Sequence, residues 1–190
     1  MNFESYLQRI EVHLIGTHAK VFEWFHAKEE VLNFRPADQG WTIAEILEHI
    51  ALTSHFLLKL IDKASNKALR NVKGLSLEEA LRNVDLDPEK MEAVGVHGSF
   101  AWIRPVHMEP EGKRSLEEIR NELTGQLRRC LDQLTLLKNG EGLLQMTTMS
   151  VNDLGKLNVY EYIYFLSLHA DRHLQQISGN KREFEDSSLA

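Results

Sequence analysis

The sequence predicts an all-α domain, a four-helix bundle, and two observations predict it. Four long proline-free stretches carry apolar residues at three-to-four spacing. Three of the four open on a residue pattern that caps a helix. The first, about 3–28, holds Tyr6, Ile10, His13, Leu14, Thr17, Val21, Trp24 and Phe25 on one stripe. Asn33 to Gly40, with Pro36, then breaks the chain. Thr42-Ile43-Ala44-Glu45 has capping-box form and starts a second helix, whose stripe runs from Ile43 through Ile61 to about residue 64, with Trp41 placed as a staple before it. Ser115-Leu116-Glu117-Glu118 starts a third, to about Lys138. Asn158-Val159-Tyr160-Glu161 starts a fourth, which ends at Ser178, before Gly179.

Between the second and third helices, about 65–114, lies an irregular excursion. It holds three of the four prolines, a short helix expected over Ser76–Asn83, and an aromatic cluster of Phe100 and Trp102 with Arg104 nearby. An ordered excursion of this length in a small domain is often functional. The polar alternation at 145–150 reads as a short extended piece with no obvious partner.

At 190 residues the chain reads as one domain, 1–190, able to fold without covalent staples. A single cysteine, Cys130, excludes an internal disulfide framework. Glu4 and Glu11 interrupt the apolar residues of the first segment, which is not a secretory signal, and no apolar run is long enough to cross a bilayer. The expectation is a cytoplasmic protein without membrane partners. A net charge of −6 also weighs against nucleic acid, which needs a basic stripe.

The chemistry-bearing residues are His49, His169 and His173. Side chains four apart in a helix share a face, so His169 and His173 can grip one ion between them. If the second and fourth helices are antiparallel neighbours, His49 comes level with the pair. Three neutral imidazoles suit a transition metal and leave coordination positions open. A chain with nine histidines produces such spacing by chance, and a lone helical histidine is usually a surface or hydrogen-bonded core residue. All three nevertheless sit in apolar stripes, where an unpaired imidazole is costly.

GWTIAEILEHIALTSH at 40–55 and LHADRHLQQISG at 168–179, in this order and at this separation, resemble the DinB-like superfamily, including its YfiT-type metal-dependent hydrolases and bacillithiol transferases. The resemblance implies a four-helix bundle with His49, His169 and His173 as ligands of zinc or nickel. It implies dimers in many members, so a homodimer is expected. For characterised relatives it implies transfer chemistry in which a low-molecular-weight thiol is activated on the metal.

Such a site activates either a thiol or water, so the first expectation is a small-thiol S-transferase or a hydrolase acting on a small-molecule substrate. The alternative is a non-catalytic metal-binding or stress-response bundle, which a fourth protein ligand, His13 or His97, would favour. Other residues read as structural. His55 lies about 600° around the helix from His49 and points away. Glu45 serves the cap rather than the His49 ring, Cys130 is a small buried residue, and Asp171 and Arg172 lie off the ligand face. His18 is a packing or solvent residue and His26 is exposed. His97 and His107, with Phe100, Trp102 and Arg104, are candidate substrate contacts.

Overall fold

Three of the four capping boxes that the sequence offers form in the computed structural model, which describes residues 2–82, 84, 86–99, 105–149 and 154–189. At the fourth, Ser76-Leu77-Glu78-Glu79, the Ser76 hydroxyl accepts from the Glu79 amide without the reciprocal bond. The Thr42 hydroxyl accepts from the Glu45 amide at 3.2 Å, and the Glu45 carboxylate accepts from the Thr42 amide at 2.8 Å. Ser115 with Glu118, and Asn158 with Glu161, repeat the exchange. Each box satisfies two amides that the start of a helix leaves without partners.

The chain is mostly helical. The helices are α1 (Phe3–Glu23), a short α2 (Glu29–Leu32), α3 (Ile43–Asn71), a short α4 (Leu77–Leu81), α5 (Leu116–Leu136) and α6 (Val159–Ser187). A two-stranded ribbon precedes α6: β1 (Thr147–Met149) pairs antiparallel with β2 (Gly155–Leu157), Thr147 opposite Leu157. The extended piece expected near 145–150 therefore has a partner, which its own sequence did not disclose. None of the helices among the described residues is long and apolar enough to cross a membrane.

Two apolar clusters form the interior, and the share of each helix in them gives the chain directions. Tyr6, Ile10 and Leu14 of α1 and Tyr160 to Leu168 of α6 meet Leu57, Leu58 and Ile61 of α3 and Cys130 and Leu134 of α5. The second cluster takes Val21 from the end of α1, Ala170, Leu174 and Ile177 from later in α6, Ile43 to Ala51 from the start of α3, and Ile119 and Leu123 from the start of α5. Thus α1 and α6 run one way, α3 and α5 the other. Between the two clusters each long helix buries polar residues: Thr17 and His18, Thr53 and Ser54, Gln126, and Ser167 with His169.

Because α3 and α5 are parallel, the chain leaving α3 must travel back along its whole length, about 43 Å at 1.5 Å per residue, before α5 can begin. That is the task of the excursion. On the way Arg9 of α1 pairs with Glu92, Gln175 of α6 accepts from the His97 amide and donates to the Gly95 carbonyl, and Glu48 of α3 accepts from the Gly112 amide. The Gln175 amide thus makes two bonds to one stretch of backbone. Gln175→Ala removes both, and the amide of His97 is expected to exchange with solvent about tenfold faster, as loss of roughly 1.4 kcal/mol requires. Unchanged protection in native-state hydrogen exchange would show that the stretch is held by other contacts.

The helix ends depart from the sequence expectation. The first helix gives way after Glu23 to one 3₁₀ turn, Trp24–His26, rather than running to about 28. The second continues past 64 to Asn71, since Ala64, Ser65 and Ala68 remain buried. The fourth passes through Gly179 to Ser187. Glycine ends a helix when it takes a left-handed conformation, and Gly179 does not. Tertiary contacts hold the extension: Asn180 donates to the Trp41 carbonyl at 2.8 Å, Glu183 accepts from the Ala37 amide at 2.6 Å, and Phe184 packs edge-on against Phe34. The short helix expected over Ser76–Asn83 forms over Leu77–Leu81, and Asn83 lies outside the described residues.

Candidate metal centre

The antiparallel run of α3 against α6 brings His49 level with the pair on α6, as the spacing requires. His49, His169 and His173 are 3%, 5% and 2% exposed, and each offers one nitrogen within 4.8 Å of the others. Their ring centroids lie 4.5 to 5.1 Å apart. Nε2 of His169 and Nε2 of His173 are 3.2 Å apart. Two nitrogens on one tetrahedral zinc stand roughly 3.3 Å apart, given bonds of 2.0–2.1 Å.

On His49 and His173 the ring nitrogen turned away from this point is occupied. His49 Nδ1 donates to the Met108 carbonyl at 2.7 Å, so its Nε2 carries the lone pair. His173 Nδ1 lies 3.0 Å from the Gln176 side-chain oxygen, with the same consequence for its Nε2. Acceptors of this kind fix the tautomer and aim of metal-ligating imidazoles. Phe165 lies parallel to the His169 ring at 6.0 Å, and the Trp41 indole lies 4.7 Å from the His49 ring.

Burial pushes the proton affinity of His169 and His173 well below the usual imidazole value; His173, His49 and the Arg172 guanidinium lower His169 further, and Arg172 and His49 lower His173 further against the opposing hydrogen bond to Gln176. Both are therefore neutral at physiological pH, the protonation state in which imidazole ligates a metal.

A family model of the DinB superfamily matches residues 17–177. The chain belongs to the DinB superfamily. The matched span takes in all three histidines and the crossover between α3 and α5. The chain is also 26% identical over 183 residues to "Uncharacterized protein YuaE" of Bacillus subtilis (strain 168), covering 90% of this chain and 98% of that one. No solved structure matches it.

Among the described residues of this DinB-superfamily chain, the group that can hold a metal contains His49, His169 and His173 and no fourth member. His13, considered as a fourth ligand, instead places Nδ1 3.0 Å from the Ser167 hydroxyl. The His97 side chain is exposed and its backbone is tied to Gln175. His18 is buried with Nδ1 on the Leu14 carbonyl, His26 is exposed, and His55 faces Glu122 at 3.3 Å. His107 stacks edge-on against Phe56. Glu45 serves the cap and also pairs with Arg35, and burial pushes the Cys130 thiol up to about 12, which leaves it inert. Phe100, Trp102 and Arg104 lie outside the described residues.

One expectation fails. Arg172 does not lie off the ligand face: it is 8% exposed, and its Nη2 is 2.7 Å from His173 Nε2. Its long side chain covers the offset between its Cα and the ligand face, which an argument from helical angle alone ignores. Sequence reading also missed Gln176, although its place three residues after His173 on the same helix was a usable signal. The Met108 carbonyl had no signal, since it is a backbone atom 59 residues from His49.

Proposed function

We propose that this chain is a single-domain, four-helix-bundle member of the DinB superfamily and a metal-dependent enzyme. His49, His169 and His173 hold zinc or nickel, and a small-molecule substrate is activated at a coordination position that they leave open. The observation that carries this reading is the convergence of three buried imidazoles with two Nε2 atoms 3.2 Å apart. The donor set fits a borderline transition metal by its chemistry, neutral nitrogen throughout. Three protein ligands also favour an open site over a closed structural one, which ordinarily takes four. When bound, a divalent ion keeps its full charge on such ligands and lowers the pKa of a thiol or a water toward neutrality.

The remaining tasks belong to the chain. Met108 and Gln176 keep the proton on Nδ1 of His49 and His173 and so reserve Nε2 for ligation. Trp41 and Phe165 wall the imidazoles and limit water around them. Gln176 also lines an outer cleft of about 470 Å³ with Asp38, Gly40, His97 and Asn180, large enough for a small molecule.

Element analysis of protein purified without a histidine tag is expected to find one equivalent of transition metal. Mixing that protein with monochlorobimane and a panel of small thiols is expected to give conjugation that a chelator stops. Metal without conjugation of any thiol would leave water as the activated group, and absence of stoichiometric metal would overturn the reading.

A further inference from the structure

We propose that Arg172 makes this an anion site: its guanidinium recognises a monoanionic donor group, a thiolate or a carboxylate, at the position the three imidazoles leave open. This rests on the metal reading above and names the class of ligand for the same site.

The geometry places the guanidinium at the point of convergence. Nη2 donates to His173 Nε2 at 2.7 Å, and that nitrogen is 3.2 Å from His169 Nε2. A lone pair on Nε2 serves one partner at a time. An ion that takes it displaces the guanidinium from that atom, yet Arg172 is the residue next to His173 on α6 and its side chain is buried, so it stays beside the ion.

The electrostatics then choose the ligand. Three imidazoles contribute no negative charge, so ion and guanidinium present two positive charges to one small, water-poor volume. A neutral ligand leaves that repulsion in place. An anionic donor bound to the ion accepts the displaced N–H groups and relieves it, and the planar guanidinium is suited to this because it donates along fixed directions. Arg172 therefore opposes the bare ion and favours the anion-loaded one. An arginine serving only to pack or to rigidify α6 would not act in opposite directions on the two.

The test uses the Co²⁺-loaded protein, whose visible absorption reports the ligands, with azide as the anionic probe and imidazole as the neutral one. Relative to wild type, Arg172→Gln is expected to bind Co²⁺ about tenfold more tightly in competition with a chelator and azide about tenfold more weakly, with imidazole affinity unchanged. Arg172→Lys keeps the charge and is expected to recover most of the azide affinity. Equal azide affinity in wild type and Arg172→Gln, each carrying one Co²⁺, would overturn the inference while leaving the metal reading intact. If wild type takes up no stoichiometric Co²⁺, the metal reading fails first and this one with it. Should Arg172→Gln not fold, wild type decides: binding of azide at millimolar concentrations in preference to imidazole supports the role, and the reverse preference overturns it.

Discussion

His173→Ala is expected to abolish stoichiometric metal binding. Of the three imidazoles it is the most deeply committed: its Nε2 faces His169 Nε2 at 3.2 Å, while its Nδ1 is held by Gln176. Removing it leaves His49 and His169 with ring centroids 5.1 Å apart, two donors on two different helices. Losing a group that merely orients a ligand costs about 10–100-fold in metal affinity, so losing the ligand itself is expected to cost more than about 100-fold. The fold should survive. The substitution leaves a small void and strips Gln176 and Arg172 of an acceptor or donor, a cost of about 1–3 kcal/mol. His55→Ala is the control, since His55 stands on α3 with His49 but pairs with Glu122 away from the site. Element analysis and titration with Zn²⁺ check both. If His173→Ala keeps one equivalent of metal at wild-type affinity while folded, the three-histidine site is not where the metal binds.

Which parts of the molecule could be read in its sequence follows from the range of the interaction that determines each. Helix starts were legible because a cap is settled within four residues: Thr42 with Glu45, Ser115 with Glu118 and Asn158 with Glu161 all form as expected. Three of the far ends were not. Gly179 looks like a stop until Asn180, Glu183 and Phe184 meet residues from the loop before α3. The two histidines on α6 were legible as a pair because four-residue spacing is local, and His49 joined them once α3 and α6 were taken as antiparallel. Helix direction also explains the excursion. Nothing local says that α3 and α5 are parallel, so the sequence showed a long irregular segment without showing that it must return along the helices, or that Met108 within it would hold His49. Arg172 was misplaced for a related reason: helical angle locates a Cα, while a guanidinium can reach well beyond it.

The metal-free protein is expected to lose stability as pH falls below about 6.5, the ordinary value for imidazole in an unfolded chain. The sign follows from proton uptake. His169 and His173 are buried, and both have their proton affinity lowered well below that value in the folded state, by burial first and then by neighbouring charge: His173, His49 and Arg172 for His169, Arg172 and His49 for His173. Below pH 6.5 the unfolded chain takes up protons at these positions and the folded chain does not, so the unfolded state is favoured. The contribution is fully present above that pH and is lost as pH drops toward the folded-state values. At about pH 5.5, one unit below the unfolded value, both imidazoles act in this direction. His18, buried on the Leu14 carbonyl and lowered by the same desolvation, adds in the same direction. Urea unfolding of chelator-treated protein at pH 7.5 and 5.5 measures the sum, and His169→Gln removes part of it without altering the carboxylates that also titrate in acid. A pH dependence unchanged in that variant would mean that the folded protein accepts the proton at His169 after all. A saturating metal adds a separate dependence of its own. At a thousand times its dissociation constant it stabilises by about 4 kcal/mol, and because protons compete for Nε2, that increment should also shrink as the solution is acidified.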